Sequence, residues 1–162
     1  MVYKMMRLFF VLVLFCCTFN IDAQTVGDFR PIVGLTYGLK VEKPGINVGA
    51  EYLPLDNFSL AATFEHFFTQ SDLKFQSVHL EGRYYFRTGQ LQYYGLMGYV
   101  RNTVQFPQKE KVTKGGLDIG VGTVYRLMFS NRIALFGQVR YSTPNQPQFA
   151  AYGGITYLLN LL

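Results

Sequence analysis

The chain has 162 residues, which suits one domain and leaves little room for a second independent core. Its 15 Lys and Arg against 10 Asp and Glu give a mild, scattered excess of +5, which argues against a nucleic-acid-binding protein. Only 15% of the residues are charged whereas 17% are aromatic and 16 residues are glycine, so the composition predicts an unusually large apolar surface.

Residues 1–23 have the pattern of a secretory signal peptide. Lys4 and Arg7 give a basic start, an apolar run follows over residues 8–19, and Ala23 supplies the small residue at the cleavage site. The run is shorter than the ~20 residues that a helix needs to cross the hydrocarbon layer, which argues against a retained anchor. We predict cleavage after Ala23, with residues 24–162 as the mature domain.

Cys16 and Cys17 lie inside this predicted signal. A lipoprotein interpretation would make one of them the first mature residue, but the bulky Phe15 stands where that processing wants a small one. We interpret both as apolar residues of the signal core. The mature domain then has no cysteine, so neither a disulfide nor a thiolate metal site is predicted. Removing residues 1–23 also leaves 13 basic and 9 acidic residues, an excess of about four.

The mature domain is predicted to be all-β. Period-two alternation recurs between clusters of Gly, Pro, Asn and Asp, and no segment sustains a helical apolar period. The alternation predicts eight strands of about ten residues, the length that a tilted strand needs to cross a bilayer. Their predicted bounds are residues 31–40, 45–53, 58–68, 76–87, 91–101, 115–127, 132–142 and 148–158.

Short and long connections alternate between these strands. Three tight turns are followed or preceded by longer and more polar connections, the longest of which covers residues 102–114. In an up-and-down meander the two sets lie at opposite ends, and outer-membrane barrels have short periplasmic turns and longer outside loops. The even strand count places both ends of the mature chain on the short-turn side.

The fourth predicted strand separates its two faces most clearly. Val78, Leu80 and Tyr84 fall on one face, whereas Glu81 and Arg83 fall on the other. Alternation alone leaves open which face points inward, because a soluble lipocalin-like barrel places its apolar face inside.

Three features favour an apolar face that points outward into lipid. Lysines are almost absent from the strands and collect in the predicted loops. The polar face carries glycines and charges of both signs, which suit the narrow interior of an eight-stranded barrel. Aromatic residues gather near the short-turn ends of the strands, as in the interfacial girdles of membrane barrels: Tyr52, Phe86, Tyr93, Tyr125 and Tyr157.

The polar face therefore predicts an interior network in which opposite charges pair. We expect its members to depend on one another, because removing one partner of a buried pair costs about 3–5 kcal/mol. The candidate members are Glu51, Glu65, His79, Glu81, Arg83, Asp118, Arg126, Gln138 and Arg140.

Together these features resemble the small OmpA- and OmpX-type outer-membrane barrels, from about Phe29 to Leu162. The alternating last strand, with Phe149, Ile155 and Tyr157, also looks like the terminal strand that the barrel-insertion machinery reads. The resemblance implies an integral protein of the Gram-negative outer membrane, in contact with its lipids and lipopolysaccharide and inserted by that machinery. It implies no cofactor.

Ser77, His79 and Glu81 are the one group with catalytic residue types, since membrane-barrel lipid hydrolases resemble it in using a serine, a histidine and an acid. Same-face neighbours along a strand lie about 6–7 Å apart, too far for direct hydrogen bonds, so a working pair would need cross-strand partners. We predict that His79 is a lumen neighbour without catalytic role. His66 shares a face with two phenylalanines. We therefore expect it to lie in the aromatic girdle rather than to bind a metal.

Lys109, Lys111 and Lys114 cluster in the third long connection. Ammonium groups near an anionic surface each add attraction, so this loop is a candidate for contact with lipopolysaccharide phosphates, and an ordinary solvated loop is an equally good interpretation. Gly115 and Gly116 do not predict a phosphate cradle, because no helix follows them.

The sequence as a whole predicts a non-enzymatic outer-membrane barrel with a polar lumen filled by side chains. Its role would lie in envelope structure, adhesion or docking through the outer loops, and a pore is disfavoured because eight strands leave little lumen. A membrane-embedded lipid hydrolase and a soluble lipocalin-like carrier, which would need a dry inner cavity, are the alternatives.

Overall fold

A computed structural model describes residues 26–69, 74–87, 89–105, 111–130, 132–143 and 148–160. The predicted signal peptide and its cleavage site lie outside these residues. None of the described segments forms a helix long and apolar enough to span a membrane. The described strands are β1 (Asp28–Gly38), β2 (Lys43–Leu55), β3 (Phe58–Phe67), β4 (Lys74–Arg87), β5 (Leu91–Gln105), β6 (Val112–Arg126), β7 (Ile133–Ser142), β8 (Gln148–Tyr157) and the two-residue β9 (Leu159–Asn160).

The strands close into a barrel. Each long strand pairs antiparallel with the next one along the chain, and β1 pairs with both β2 and β8. A closed sheet leaves no long strand with an unpaired edge, which is the condition for placing strands in hydrocarbon. The predicted eight-stranded antiparallel barrel is confirmed, with β4, β5 and β6 reaching further toward the long-loop end than the sequence indicated.

β9 continues β8 in the same register against β1. The pairing of Ile32 with Thr156 and that of Phe29 with Leu159 belong to one ladder, which is interrupted between them. The interruption coincides with Pro31, which has no N–H to donate to a neighbouring strand. The backbone N–H of Leu158 instead donates to the carbonyl oxygen of Arg132 at 2.6 Å. The barrel wall is therefore locally irregular where its first and last strands meet.

The two faces of the sheet differ as the alternation predicted. In β4 the side chains of Val78 and Leu80 are exposed, whereas His79, Glu81 and Arg83 are buried. The same pattern around the barrel gives an outer belt of large apolar residues, so the apolar face points outward and the lipocalin-like arrangement is not the one found. The predicted girdle residues lie exposed on this outer face near the short-turn end: Tyr52, Phe86, Tyr93, Tyr125 and Tyr157.

The interior changes in character along the barrel axis. Toward the short-turn end it holds an aromatic and aliphatic layer that includes Tyr85, Tyr94 and Leu96. Space for this layer comes from Gly122, because a Cβ at that position would overlap the Tyr94 ring. From this layer toward the long-loop end the interior holds the charged side chains, together with uncharged polar ones such as Asn47 and Asn102 and a few apolar ones such as Phe67.

Candidate functional site

The main polar feature of the described interior is a continuous series of charged side chains, here called the ion-pair chain. Its neighbouring members lie within salt-bridge distance, and three of these contacts join strands that are not neighbours in the sheet. The chain runs in the order Glu65, His79, Asp118, Arg140, Glu81, Arg83, Glu51 and Arg30.

His79 forms the part of the chain toward the long-loop end. Its Nδ1 lies 2.5 Å from Oδ2 of Asp118 on β6, and its Nε2 lies 3.2 Å from Oε2 of Glu65 on β3. The other oxygen of Glu65 accepts a hydrogen bond from the Thr36 hydroxyl at 2.6 Å. Both ring nitrogens of His79 are thus occupied by carboxylates, and the imidazole joins strands that are not neighbours in the sheet.

Glu81 occupies the middle of the chain between two guanidinium groups. Arg140 Nη2 lies 2.8 Å from Glu81 Oε2, and Arg83 Nε donates to Glu81 Oε1 at 2.9 Å. Arg140 also reaches Asp118, with 3.5 Å between Nη1 and Oδ2. Planar guanidinium groups can serve two carboxylates at once, which is why arginine suits these positions better than lysine.

Glu51 lies near the aromatic layer and joins Arg83 to Arg30, the last member of the chain. Its Oε1 accepts hydrogen bonds from the Ser59 hydroxyl and from the Tyr85 hydroxyl, the latter at 2.5 Å. Its Oε2 lies 3.5 Å from Arg83 Nη1 and 3.9 Å from Arg30 Nη1. Hydrogen bonds to a buried carboxylate offset its loss of hydration, so Glu51 joins the charged and aromatic regions without being left unpaired.

Aromatic side chains also contact the arginines of the chain. The guanidinium carbon of Arg140 lies 4.7 Å from the centroid of the Tyr152 ring, and that of Arg83 lies 5.1 Å from the Tyr94 ring. The Gln138 amide lies 2.8 Å from the Tyr94 hydroxyl, and its oxygen, when turned to Arg140, accepts from Nη2 at 2.6 Å. Such stacking adds favourable contact energy where a guanidinium group has lost its water.

The structure brings eight of the nine predicted lumen residues together. Arg126 is the exception, because it lies half-buried at the short-turn end and lines a separate small cavity there. The sequence prediction missed Arg30, since it began the first strand at residue 31. Continuing the alternation back from Ile32 would have placed Arg30 on the inner face. The predicted network also did not include the buried tyrosines Tyr85, Tyr94 and Tyr152, although alternation places Tyr85 on the same face as Glu81 and Arg83.

The arrangement around His79 is that of a structural link. The imidazole is 1% exposed, and carboxylates of Glu65 and Asp118 occupy both ring nitrogens, so Ser77 is not the group that either nitrogen contacts. Among the described residues, no three or more His, Cys, Asp or Glu side chains are arranged to hold a metal ion. His66 is half-buried on the outer face, edge-on to the Phe68 ring at a centroid distance of 5.9 Å.

The long-loop end carries exposed cations on an extended part of β5 and β6. These strands stay paired as far as Val104 and Val112, whereas among the described residues β7 pairs with β6 only from Asp118 onward. Lys111 and Lys114 are exposed there, and Lys109 lies outside the described residues. We call residues 101–105 and 111–116 the β5–β6 ribbon.

An apolar groove of about 840 Å³ crosses the outer face of the barrel. It is lined by the glycines Gly82 and Gly95 and by larger apolar side chains such as Met97, Val121 and Val139. Glycine on an outward position leaves a depression between the bulky neighbours of the belt. Acyl chains would fill such a groove in a membrane.

The closed barrel, its apolar outer belt and its charged interior define the fold of the small eight-stranded transmembrane barrels of the bacterial outer membrane, as the resemblance implied. No protein-family model matches the sequence, and a search of curated proteins finds no match. Solved structures do match, and three of them show the range of proteins that share this architecture.

The N-terminal β-barrel domain of OprF from Pseudomonas aeruginosa is 13% identical, with a TM-score of 0.70 over 84% of this chain and 100% of that chain. Ail, the attachment invasion locus protein of Yersinia pestis, is 18% identical, with a TM-score of 0.62 over 83% and 100%. A de novo designed transmembrane β-barrel is 20% identical, with a TM-score of 0.59 over 85% and 100%. At such low identities the likeness establishes the fold and not the activity.

Proposed function

We propose that this protein is a non-enzymatic integral protein of the bacterial outer membrane whose long-loop end binds anionic groups of the cell surface, with lipopolysaccharide phosphates as the first candidate. The observation that carries the proposal is the set of exposed cations on the β5–β6 ribbon, above the apolar belt. The role that follows is one in envelope structure or adhesion.

Residence in a membrane is supported by the outer belt. Leu35, Val121 and Met97 are each more than three-fifths exposed, at 68%, 64% and 66%, in the middle of long strands. Soluble monomers rarely expose contiguous apolar patches beyond a few hundred Å², roughly. The test is gel mobility of the detergent-solubilised protein with and without boiling, and we expect the unboiled protein to migrate as a compact β-barrel. A protein that stays folded and soluble without detergent would contradict membrane residence.

The surroundings of His79 support a non-enzymatic role. A general base needs a ring nitrogen within reach of the proton that it removes, and both nitrogens already contact carboxylates. A His79→Ala variant tests the hydrolase alternative directly. We expect unchanged phospholipid and lipid A turnover in membranes that carry the variant, and a loss of turnover would favour the hydrolase.

The anion-binding part is supported by the geometry of the ribbon. Arg101 is exposed and pairs across the strands with Gly115, over which the Tyr99 ring lies. Tyr99 is itself half-exposed, so an aromatic ring and a guanidinium group lie together on the outer face. Lys111 and Lys114 add two exposed ammonium groups. This combination suits the boundary between acyl chains and phosphate headgroups. Amphipathic rings are enriched there, and cations are attracted to the anionic groups.

The binding test compares two sets of substitutions. Replacing Arg101, Lys111 and Lys114 by Gln removes about 1 kcal/mol of attraction per charge near an anionic surface, or roughly a hundredfold in affinity for all three. Lys40→Gln with Lys43→Gln, at the β1–β2 connection, is the control for overall charge. Binding to lipopolysaccharide vesicles is measured for each, and equal losses per removed charge in both sets would show general charge attraction instead of a ribbon site.

A second arm of this test uses a sulfated glycan. One structure of Ail, 18% identical with a TM-score of 0.64, holds the heparin analogue sucrose octasulfate. Sulfate groups would meet the same cations in this chain. Ribbon-dependent binding to immobilised heparin, stronger than that to lipopolysaccharide, would favour adhesion over a structural role in the envelope. Contact with the barrel-insertion machinery during biogenesis stays a prediction from the terminal strand.

A further inference from the structure

A small cavity lies inside the barrel wall at the short-turn end, away from the ribbon. Its volume is about 10 Å³, which is room for roughly one water-sized atom. Three of its lining residues are arginines, Arg30, Arg126 and Arg132, and Thr156 lies beside them. No acidic side chain lines it among the described residues.

Two buried donors at this cavity have no partner within the described protein. They are Nη2 of Arg30 and Oγ1 of Thr156, on residues that are 2% and 5% exposed. The contacts of Arg30 with Gln92, Tyr85 and Glu51 all involve its other terminal nitrogen, Nη1, at 3.4, 3.5 and 3.9 Å. A buried donor without an acceptor costs about 1–3 kcal/mol, so the pair points to an acceptor that belongs in this space.

The cavity lies where the barrel wall is irregular. Thr156 is the last residue of β8 to pair with β1 before the interruption at Pro31, and Leu158, just beyond it, also lines the cavity. A regular ladder there would bring the strands together and close the space. Since Arg132 is exposed, the cavity borders the solvent at the short-turn end.

We propose that this cavity is a binding site for one oxygen of a carboxylate or phosphate group that approaches from the short-turn side. The oxygen accepts from Arg30 Nη2 and Thr156 Oγ1, and the rest of the group faces the guanidinium of Arg132. Arg126 adds positive charge to the same wall. Guanidinium groups bind oxyanions through short, charge-assisted hydrogen bonds, which are roughly twice as strong as those between neutral groups.

The test measures the unfolding temperature of the protein, purified from membranes in detergent, with increasing phosphate or acetate at constant ionic strength set with chloride. Anything that binds only the folded state raises its unfolding temperature in a saturable manner. We expect such a rise with both oxyanions. A rise with phosphate alone would identify a phosphate source, and a rise with acetate alone would identify a carboxylate source such as a peptide end.

Three variants locate the effect. Arg132→Gln removes one charge-assisted bond and should weaken the apparent affinity about tenfold, and the near-isosteric Thr156→Val should weaken it about fivefold. Arg87→Gln, which removes a charge at the same end but away from the cavity, is the matched control and should leave the affinity unchanged. No saturable rise in the unsubstituted protein, or a rise that both Arg132→Gln and Thr156→Val retain, overturns the proposal and leaves a water-filled void.

Discussion

The inner and outer faces of this barrel wall are made by alternate residues of the same strands. They differ in how specific the contacts of their side chains are. On the inner face each charged group contacts particular atoms on particular strands, as Glu81 does with Arg83 and Arg140. On the outer face Val121 and Leu35 meet whatever apolar material surrounds the barrel. The stability of the barrel should therefore depend on the exact residue type at inner positions, and only on whether the residue is apolar at outer positions.

The largest expected effect comes from breaking the ion-pair chain at its middle. Glu81→Gln removes the charge that Arg83 and Arg140 share, and should lower the free energy of unfolding by about 3–5 kcal/mol because it leaves buried guanidinium charge uncompensated. Urea unfolding in lipid vesicles, followed by circular dichroism, measures the change. Asp56→Asn, an exposed turn residue with the same loss of charge, is the control and should change the free energy by less than about 0.5 kcal/mol.

A double substitution sharpens this result. Arg140→Gln added to Glu81→Gln should cost less than the two single changes summed, because the second change removes a charge that the first had left unpaired. The coupling between residues in one such network is about 0.5–3 kcal/mol. Strict additivity would mean that the two groups do not act as a pair.

The second largest effect is expected from placing a charged residue on the outer face. Val121→Lys, in the middle of the belt, should cost about 2–4 kcal/mol in a bilayer, because the ammonium group enters hydrocarbon. Leu55→Lys, at the short-turn end of β2, is the matched control and should cost about 0–1 kcal/mol near the interface. If unfolding in vesicles shows equal costs at the two positions, the belt does not lie at the depth proposed.

A smaller effect compares one substitution on both faces. Gly122→Ala pushes a methyl group into the Tyr94 ring and should cost about 1–3 kcal/mol through displacement of that ring and its contact with Gln138. At the outward Gly137 the nearest atom to an added Cβ is 3.8 Å away, so Gly137→Ala should be nearly neutral. Unfolding free energies of the two variants test this, and a reversed order would contradict the face assignment.

The smallest effect is expected from an apolar exchange on the belt. Val139→Ile adds one methylene to an exposed outer position, and lipid chains should accommodate it with a change within about 0.5 kcal/mol. The same measurement in vesicles applies. A cost above about 1 kcal/mol would show that this surface packs against protein, such as a second copy of the chain, instead of fluid lipid.

Alternation made the architecture predictable because the side-chain period of a strand is independent of its partners. The polar and apolar positions from Ser77 to Tyr85 indicate both the strand and its faces without any knowledge of pairing. The scarcity of lysine in the predicted strands, the mixed charges of the polar face and the aromatic girdle then favoured an apolar face that points outward. Side-chain alternation and residue composition depend only on residues that are close in the sequence, so both can be predicted without knowing which strands pair.

The partners inside the lumen could not be predicted in the same way. His79 on β4 contacts Asp118 on β6, and this depends on the registers with which the intervening β5 pairs with both strands. The positions of Arg30 and Arg126 depended on where β1 begins and on how far the charged region extends toward the short-turn end. Alternation gives the face of each residue, but it does not give the point along the barrel axis at which the network ends.

The route of the ion-pair chain across the barrel also limits how the protein can enter its membrane. Its members come from six strands, and Glu81 on β4 finds Arg140 on β7 only when the intervening hairpins are present. A hairpin of β5 and β6 alone would carry Asp118 into hydrocarbon without His79 and Arg140, and one of β7 and β8 alone would carry Arg140 without Glu81, at a cost of several kcal/mol, roughly, for each charge. Strand insertion and charge neutralisation must therefore be completed together. The ion pairs that stabilise the folded lumen also make stepwise entry of single hairpins unfavourable.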